Sequence, residues 1–184
     1  MPAELLIARE RLRPEMAAEY DRNEREIARA SASLGCPHPY LALLTEDGRE
    51  VWWLNLFTSS ADREQVAAAY AADTPFRETL QSLSAAKDRF RESLVMTLTT
   101  FRPDLSGGLT LQLSRARFLA VRITRDEIAS DAAVFASAEG ELFAVAMASD
   151  RASAERTASR LGPGAMILTV QPQWSFPSGD AEGA

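Results

Sequence analysis

The two side chains with the most reactive chemistry in this sequence stand two residues apart. His38 is the only histidine and Cys36 the only cysteine among the 184 residues. Because the pKa of an imidazole lies near neutrality, His38 could serve as a general base or as a haem or metal ligand. Pro37 and Pro39 flank it, however, and restrict the backbone, which favours a stiff connector. One histidine and one cysteine are too few for a structural zinc site, so we expect neither a metal nor a cofactor.

Two adjacent tryptophans, Trp52 and Trp53, mark a second place where a ligand could be held. Neighbouring residues of a strand point to opposite faces, so the two indoles must lie on different sides of a sheet. One face carries Trp52, Leu54 and Leu56. The other face carries Trp53, Asn55 and Phe57. The first set is the more uniformly apolar, so we expect helices to cover it and the second set to face a cavity between sheets.

Tyr40, Arg9 and His38 could line the same cavity as Trp53 and Asn55. A buried Asn55 needs a hydrogen-bond partner, which the ligand would supply. The alternative is that Trp53 packs in a sheet-to-sheet core and Asn55 bonds to backbone. The sequence lacks the Gly-x-Ser-x-Gly, His-Glu-x-x-His and Cys-x-x-Cys motifs, so it identifies no catalytic residue.

The charge of the chain argues against two large classes of partner. The net charge is −6 at pH 7, and Lys87 is the only lysine. Nucleic acids and anionic membranes attract clustered lysine and arginine, so we expect neither as a partner. No apolar run approaches the roughly 20 residues of a membrane span, and the first residues do not resemble a signal peptide. Together with the lone cysteine, which excludes internal disulfides, these features predict a cytoplasmic protein.

The elements that would position the candidate residues follow from local patterns. We predict strands over residues 5–12, 40–45, 49–58 and 93–101, and helices over 15–34, 60–70 and 74–90. Gly35 is a C-cap candidate for the first helix, and Asp47-Gly48 is a hairpin turn signal. Ser59 or Ser60 is expected to cap the second helix. The resulting order, β-α-β-β-α-β, is that of a ferredoxin-like unit.

Part of this pattern recurs later in the chain. The segments that follow Glu50 and Glu141, which are 91 residues apart, both read as apolar strand, polar break and helix. Residues 13–16 and 125–128 match at an offset of 112 residues. The difference between the two offsets, 112 − 91 = 21, is close to the length of the first helix. A single deletion of that helix from the second copy therefore explains both offsets.

We accordingly predict an α+β protein of two ferredoxin-like units, the second one reduced, whose antiparallel sheets pack as an α/β barrel or an open sandwich. The predicted divisions are a first unit over residues 1–101, a linker over 102–117, a reduced repeat over 118–177 and a mobile tail over 178–184. Alternation of leucine at 109–113 predicts an edge strand within the linker.

Several short segments carry a resemblance to a known family. They are Leu5-Leu6-Ile7-Ala8-Arg9, Arg13-Pro14-Glu15, Pro39-Tyr40-Leu41-Ala42-Leu43 and Glu50-Val51-Trp52-Trp53-Leu54-Asn55. The first unit thereby resembles the dimeric α/β-barrel group, which includes the antibiotic-biosynthesis-type monooxygenases. The segments Arg102-Pro103-Asp104-Leu105-Ser106 and Trp174-Ser175-Phe176-Pro177 are similar to those of one uncharacterised branch of that group.

The resemblance implies two facing sheets that enclose a pocket, with helices outside. If the protein is an enzyme, the resemblance implies a cofactor-independent activity like that of the monooxygenases, in which Asn and Trp help to hold an aromatic substrate. Haem enzymes on this fold use a histidine elsewhere in the unit, which speaks against haem at His38.

Two functions therefore remain open. The protein binds or oxidises a small apolar or aromatic molecule between its sheets, or it is a non-catalytic structural or ligand-sensing domain with a closed pocket. The second reading is favoured by the later hairpin, where Ala144, Val145 and Ala146 replace Trp53, Leu54 and Asn55. Exposed sheet edges, which invite pairing, also predict a homodimer.

Overall fold

Eight antiparallel strands close into one barrel in the computed structural model, which describes residues 2–107, 109–113, 116–126, 128 and 132–177. The strands are β1 (Glu4–Leu12), β2 (Leu41–Thr45), β3 (Glu50–Phe57), β4 (Arg91–Phe101), β5 (Phe118–Thr124), β6 (Ala133–Ser137), β7 (Leu142–Ala148) and β8 (Met166–Val170). Their order around the barrel is β1-β3-β2-β8-β5-β7-β6-β4, and β4 pairs again with β1. Each half of the chain thus contributes four neighbouring strands, and β2–β8 and β4–β6 join the halves.

Four α-helices accompany the strands in the described part of the chain, and local side chains set their ends. The helices are α1 (Ala17–Leu34), α2 (Ser60–Ala72), α3 (Thr74–Ala86) and α4 (Arg151–Leu161). The cap residues are Ser59, Asp73 and Asp150, which head α2, α3 and α4. Each accepts a hydrogen bond from a first-turn N–H that the helix itself leaves unpaired. Gly35 ends α1 with a left-handed φ of 72°, a conformation that glycine adopts readily.

The predicted fold class is confirmed, and the barrel rather than the open sandwich is the form it takes. The first half runs β1-α1-β2-β3-α2-α3-β4, with α2 and α3 together in the place of one helix. The second half runs β5-β6-β7-α4-β8, and its described residues between β5 and β6 form no helix. Helices α2 and α4 begin at Ser60 and Arg151, which reproduces the offset of 91 residues between the two hairpins.

The predicted edge strand at residues 109–113 is wrong. These residues form no strand; instead Leu111 is buried among the side chains that fill the barrel, and Leu113 packs against the same cluster. Alternating leucines are compatible with a strand, but also with an irregular segment that buries its side chains in an apolar interior. Here burial in the barrel interior removes Leu111 from water. The predicted tail lies outside the described residues, and the division of the chain into two units stays a prediction.

Apolar side chains form three layers. The barrel interior is filled by buried residues from every strand except β4, which adds only the partly buried Phe101. They are Leu5, Ile7, Leu41, Leu43, Trp52, Leu54, Leu119, Val121, Ala133, Phe135, Phe143, Val145 and Leu168, with Leu111. A second layer, which includes Tyr20, Trp53 and Trp174, lies between the barrel and α1. A third lies between the barrel and α4 and includes Leu161. Among the described residues no helix is both long and apolar enough to cross a bilayer.

Candidate functional site

The two faces of β3 are the reverse of those predicted from its sequence. Trp52 and Leu54 point into the barrel, whereas Trp53 lies on the outside beneath α1. The register of β1 against β3 explains this, because it places Ile7 opposite Leu54 and so joins two apolar rows inside. The prediction assigned the more apolar face of β3 to the helices. It was wrong because the helix-covered face here also holds charged groups, which are paired with one another.

Arg9 is a cation placed on the inner face of the barrel. It lies opposite Trp52 across the β1–β3 pair and alternates with the interior residues Leu5 and Ile7. Its guanidinium carbon is 5.5 Å from the centre of the Trp52 ring, a distance at which a cation and an aromatic face attract each other. Its buried Nε has no hydrogen-bond partner among the described residues. A buried donor without a partner is costly, so the Nε–H of Arg9 would gain from donating a hydrogen bond to an acceptor atom of a ligand.

The indole of Trp52 is held rigidly beside this cation. Trp52 is only 1% exposed, and its Nε1 donates a hydrogen bond of 2.6 Å to Oε1 of Glu50. Glu50 belongs to the same strand, two residues away, and so lies on the same face. The ring therefore presents a fixed flat surface to Arg9, with a carboxylate at its edge. We call Arg9, Trp52 and Glu50 the Arg9 site.

The wall of the barrel is incomplete beside the Arg9 site. Val95 of β4 lies opposite Arg9 in the β1–β4 pair and therefore on the same face, yet it is 45% exposed. The reason is that β6 pairs with β4 only over Thr99–Phe101, so the preceding part of β4 has β1 as its only neighbour among the described strands. Solvent reaches the inner face there, and a small molecule could approach Arg9 by the same route.

The other predicted site residues do not join Arg9. Trp53 and Tyr40 lie in the layer beneath α1, where the Tyr40 hydroxyl is 3.0 Å from the Ser31 hydroxyl. Asn55 and Phe57 follow Trp53 on the outer face of β3. Of the six predicted residues, the structure thus brings only Arg9 to the interior. The sequence-based prediction missed its neighbour Trp52 and the Glu50 carboxylate that bonds to Trp52. The pairing of β1 with β3 was the missing information.

His38 occupies a packed position at the end of β3. Its ring stacks on Phe57, with centroids 4.4 Å apart and planes inclined by 14°. Burial lowers its pKa, while the Asp62 carboxylate and a hydrogen bond to the Leu56 backbone oppose that shift only in part. The backbone oxygen of His38 also accepts a hydrogen bond from the Cys36 thiol at 3.2 Å. These contacts fix His38 within the connector, away from Arg9, and its buried Nε2 has no hydrogen-bond partner among the described residues.

A cluster of buried charges, which the sequence analysis overlooked, lies between α1 and the barrel. Its centre is Glu10, whose Oε1 is 3.1 Å from Nζ of Lys87 and 2.7 Å from Nη1 of Arg91. The Tyr20 hydroxyl donates to the other oxygen of Glu10. Lys87 also lies 2.8 Å from Glu24. We call Glu10, Tyr20, Glu24, Lys87 and Arg91 the buried ionic cluster.

The tryptophan that was predicted to line a pocket supports this cluster instead. The Lys87 ammonium lies 4.4 Å from the centre of the Trp53 ring. Two features of the sequence could have indicated the cluster. Lys87 is the only lysine, and Glu24 falls on the same helical stripe as Tyr20 and Ile27, both of which are buried.

The two carboxylates of the cluster titrate in opposite directions. Burial alone would raise the pKa of Glu10, but Lys87, Tyr20 and Arg91 together outweigh it and lower that pKa. For Glu24, burial dominates and raises the pKa to about 7, because Lys87 compensates only in part. Burial, aided by Glu24 and Glu10, also raises the pKa of Tyr20 well above its ordinary value. At neutral pH the Glu24 carboxyl is therefore close to half protonated.

Glu24 should make the fold less stable as the pH rises. Its folded-state pKa of about 7 exceeds the ordinary 4.5, so its stabilising contribution is complete below pH 4.5 and is lost as the pH rises through 7. We expect a loss of roughly 3 kcal/mol from this group between about pH 4.5 and 8. The Glu24→Gln variant should not show this pH-dependent loss of stability. Urea unfolding across the same pH range measures it.

The comparison with Glu24→Gln is needed because other groups titrate nearby. The lowered pKa values of Glu10 and His38 give stability that is lost as the pH falls, which is the opposite slope. Both groups remain in the variant, so the difference between the two curves isolates Glu24. Glu26→Gln, on an exposed position of the same helix, is the matched control and should follow the wild type. Parallel curves for wild type and Glu24→Gln would contradict the assignment.

No metal centre emerges from the part of the chain that the structure describes. There, His, Cys, Asp and Glu side chains do not gather in groups of three or more that could hold an ion. The Arg9 site has a single carboxylate, that of Glu50. Its chemistry is that of a cation held against a buried aromatic ring, and such a cation can bind an acceptor group.

Solved structures resemble this barrel over nearly its whole length. One, named a putative monooxygenase from Fusobacterium nucleatum, covers 92% of each chain with a TM-score of 0.57 and 7% identity. Another, named a putative chlorite dismutase, covers 100% of this chain and 99% of its own with a TM-score of 0.56 and 10% identity. The fold is that of the dimeric α/β-barrel group.

A third similar structure widens the range of names attached to proteins of this fold. It is described as an anthrone oxidase-like protein and covers 92% of this chain and 91% of its own, with a TM-score of 0.51 and 12% identity. No family model and no curated protein matches the sequence. At these identities the likeness concerns the fold alone. The resemblance predicted from the sequence is thus confirmed at the level of the fold.

Proposed function

We propose that this α/β barrel binds a small apolar or aromatic molecule at the Arg9 site, through a hydrogen-bond acceptor carried by the ligand. The observation that carries the proposal is the unpartnered Nε of Arg9 on the inner face of the barrel. A guanidinium there can bind a carboxylate, phenolate or carbonyl oxygen. The Trp52 ring, itself buried in the core, lies against the guanidinium and helps to hold it in position for this contact.

Access and surroundings support the same ligand class. The gap in the wall beside Val95 leads to Arg9, and the deeper interior is mainly apolar, with Leu5, Ile7 and Leu54 next along the strands. A ligand would therefore place its polar group at the gap and its apolar part inward. The structures named as a putative monooxygenase and an anthrone oxidase-like protein suggest oxidation of such a molecule as a further step.

A closed, non-catalytic barrel is the second candidate, and one observation favours it. Leu111 inserts among interior side chains that are already buried, and it occupies space that a ligand would use. On this reading Arg9 only covers the end of a packed core, and the unpaired Nε bonds to water. Removal of the Arg9 charge separates the two candidates. It should weaken ligand binding if the barrel has a site at Arg9, and it should change no binding if the barrel is closed.

Calorimetric titration with 2-naphthoate and with the uncharged 2-methylnaphthalene tests the proposal. We expect 2-naphthoate to bind the wild type, and Arg9→Gln to weaken it by roughly 10- to 100-fold, the value of a hydrogen bond to a charged group. The uncharged analogue should lose much less. Arg11→Gln is the matched control, since Arg11 lies two residues along the same strand but is exposed and paired with Glu92.

Two results would contradict the proposal. One is the absence of heat from any ligand in a panel of aromatic and isoprenoid acids and phenols. The other is equal affinity of wild type and Arg9→Gln for 2-naphthoate. Oxygen uptake, measured with each ligand that binds, then separates a binding protein from a cofactor-independent oxygenase.

A further inference from the structure

Strand β4 exposes an unpaired edge over most of its length. It runs from Arg91 to Phe101 and pairs with β1 along its full course. On its other side β6 covers only Thr99–Phe101. Among the described strands, none therefore pairs with that side of β4 before Thr99. An open edge of this kind is a template for another strand, because it presents a row of backbone donors and acceptors.

The backbone groups at this edge belong to known residues. The N–H of Phe101 donates to the Ala3 carbonyl at 2.8 Å, so the odd-numbered residues of β4 direct their backbone groups towards β1. In an antiparallel sheet, alternate residues bond to opposite sides. Leu94, Met96 and Leu98 consequently direct their N–H and C=O groups towards the open edge.

The same three residues give the strand an apolar outer face. Leu94, Met96 and Leu98 are 40%, 60% and 40% exposed, and Val95 on the inner face is 45% exposed. Four of the six large hydrophobic residues that are exposed in the described part of the chain thus lie on one strand. A monomer that must avoid edge pairing usually places charge or proline there. Residues 93–100 contain neither.

Charges adjoin this stretch but are already neutralised. Arg91 pairs with Glu10 and Asp88, and Glu92 pairs with Arg11 at 3.2 Å. The edge therefore remains uncharged on a chain whose net charge is −6. A strongly charged partner would find no opposite charge to pair with at this edge. A partner with an equally uncharged, alternating strand fits both the backbone and the side chains.

We propose that this partner is a second copy of the chain, whose β4 pairs antiparallel with the first across a two-fold axis and so borders the gap beside Val95 through which a ligand would reach Arg9. A symmetric contact closes after one partner and leaves no edge for further addition. With the two-fold axis at Val95, Leu94 of each copy lies opposite Met96 of the other copy. The last seven residues of the chain are an unsuitable alternative, because glycine, alanine and acids dominate them.

Sedimentation of the intact chain at about 1 to 100 µM tests the proposal. The expected species is a dimer of about 40 kDa, twice the 20.1 kDa of one chain. Met96→Lys places a charge on the edge and should give a folded monomer, with its fold checked by circular dichroism. Leu109→Lys changes a leucine of similar exposure outside β4 and should remain dimeric.

A cross-link tests the register independently. Because Val95 directs its backbone groups towards β1, two facing Val95 residues would form a non-hydrogen-bonded pair, with Cα atoms roughly 4.5 Å apart, which a disulfide can bridge. Val95→Cys in a Cys36→Ser background should form a disulfide-linked dimer on oxidation, whereas Leu34→Cys in that background should not. A monomeric wild type at 100 µM, or a dimer that survives Met96→Lys, would overturn the proposal.

Discussion

Trp52→Ala is expected to lower the free energy of unfolding by about 3–5 kcal/mol, the usual cost of removing a large aromatic side chain from a core. Trp52 is almost fully buried inside the barrel, where residues from both halves of the chain surround it. Its removal leaves a cavity that neighbouring strands cannot close, because the barrel fixes their spacing. The bond to Glu50 is lost as well. Urea unfolding measures the difference.

The adjacent tryptophan provides a matched comparison. Trp53→Ala should cost a similar amount, because Trp53 is also buried, but in the layer beneath α1. The two variants should differ in their pH dependence. Only Trp53 underlies the Lys87 ammonium, so only Trp53→Ala should alter the pH profile of stability. A loss below about 1 kcal/mol for Trp52→Ala would show that the indole is not part of a packed interior.

Lys87→Met is expected to destabilise the fold by about 3–5 kcal/mol at about pH 8, because it leaves a buried charge without its partner. Lys87 lies between Glu10 and Glu24, and its ammonium is 2.8 Å from Glu24. Arg91 still neutralises Glu10 in the variant. Glu24, in contrast, would lose the cation that lowers its pKa, with no other cation in contact with it among the described ion pairs. At pH 8 it must either stay ionised without a partner or bind a proton, and both cost stability.

The loss caused by Lys87→Met should shrink at low pH. Near pH 5, below the Glu24 pKa of about 7, this carboxyl is protonated and needs no cation. Arg11→Met is the control, since it breaks an exposed ion pair with Glu92 and should cost no more than about 1 kcal/mol at either pH. Equal losses for Lys87→Met at the two values of pH would contradict the role assigned to Glu24.

Local features of this fold could be predicted because local chemistry decides them. Gly35 ends α1 in a left-handed conformation, as a glycine after an amphipathic segment suggests. Ser59, one of the two predicted serines, caps α2. The repeat between the hairpins after Glu50 and Glu141 also indicated two related halves, and the starts of α2 and α4 keep its offset.

The orientation of β3 could not be predicted, because distant residues decide it. Trp53 faces outward since Glu10, Tyr20 and Lys87 form a paired polar cluster against it. Lys87 follows Glu10 by 77 residues, so no local pattern connects them. A rule that assigns the more apolar face to the helices fails when the helix side contains satisfied ion pairs.

The candidate site was predictable only in part for the same reason. Arg9 was among the predicted residues and lies on the inner face, but Trp53, Asn55, Phe57, Tyr40 and His38 lie elsewhere. Trp52 becomes its neighbour through the pairing of β1 with β3, which single-residue chemistry does not reveal, and Glu50 joins the site through its hydrogen bond to Trp52. The role of any of these residues in binding stays a prediction.

The three tryptophans allow one direct test of ligand binding inside the barrel. Trp52 lies at the Arg9 site, whereas Trp53 and Trp174 lie outside, beneath α1. Titration of 15N-labelled protein with 2-naphthoate resolves the three indole N–H signals by NMR, and Trp53→Phe and Trp174→Phe assign them. We predict that the Trp52 signal shifts progressively while the other two stay in place. A Trp52 signal that does not move, with or without shifts of Trp53 and Trp174, would contradict a binding site within the barrel.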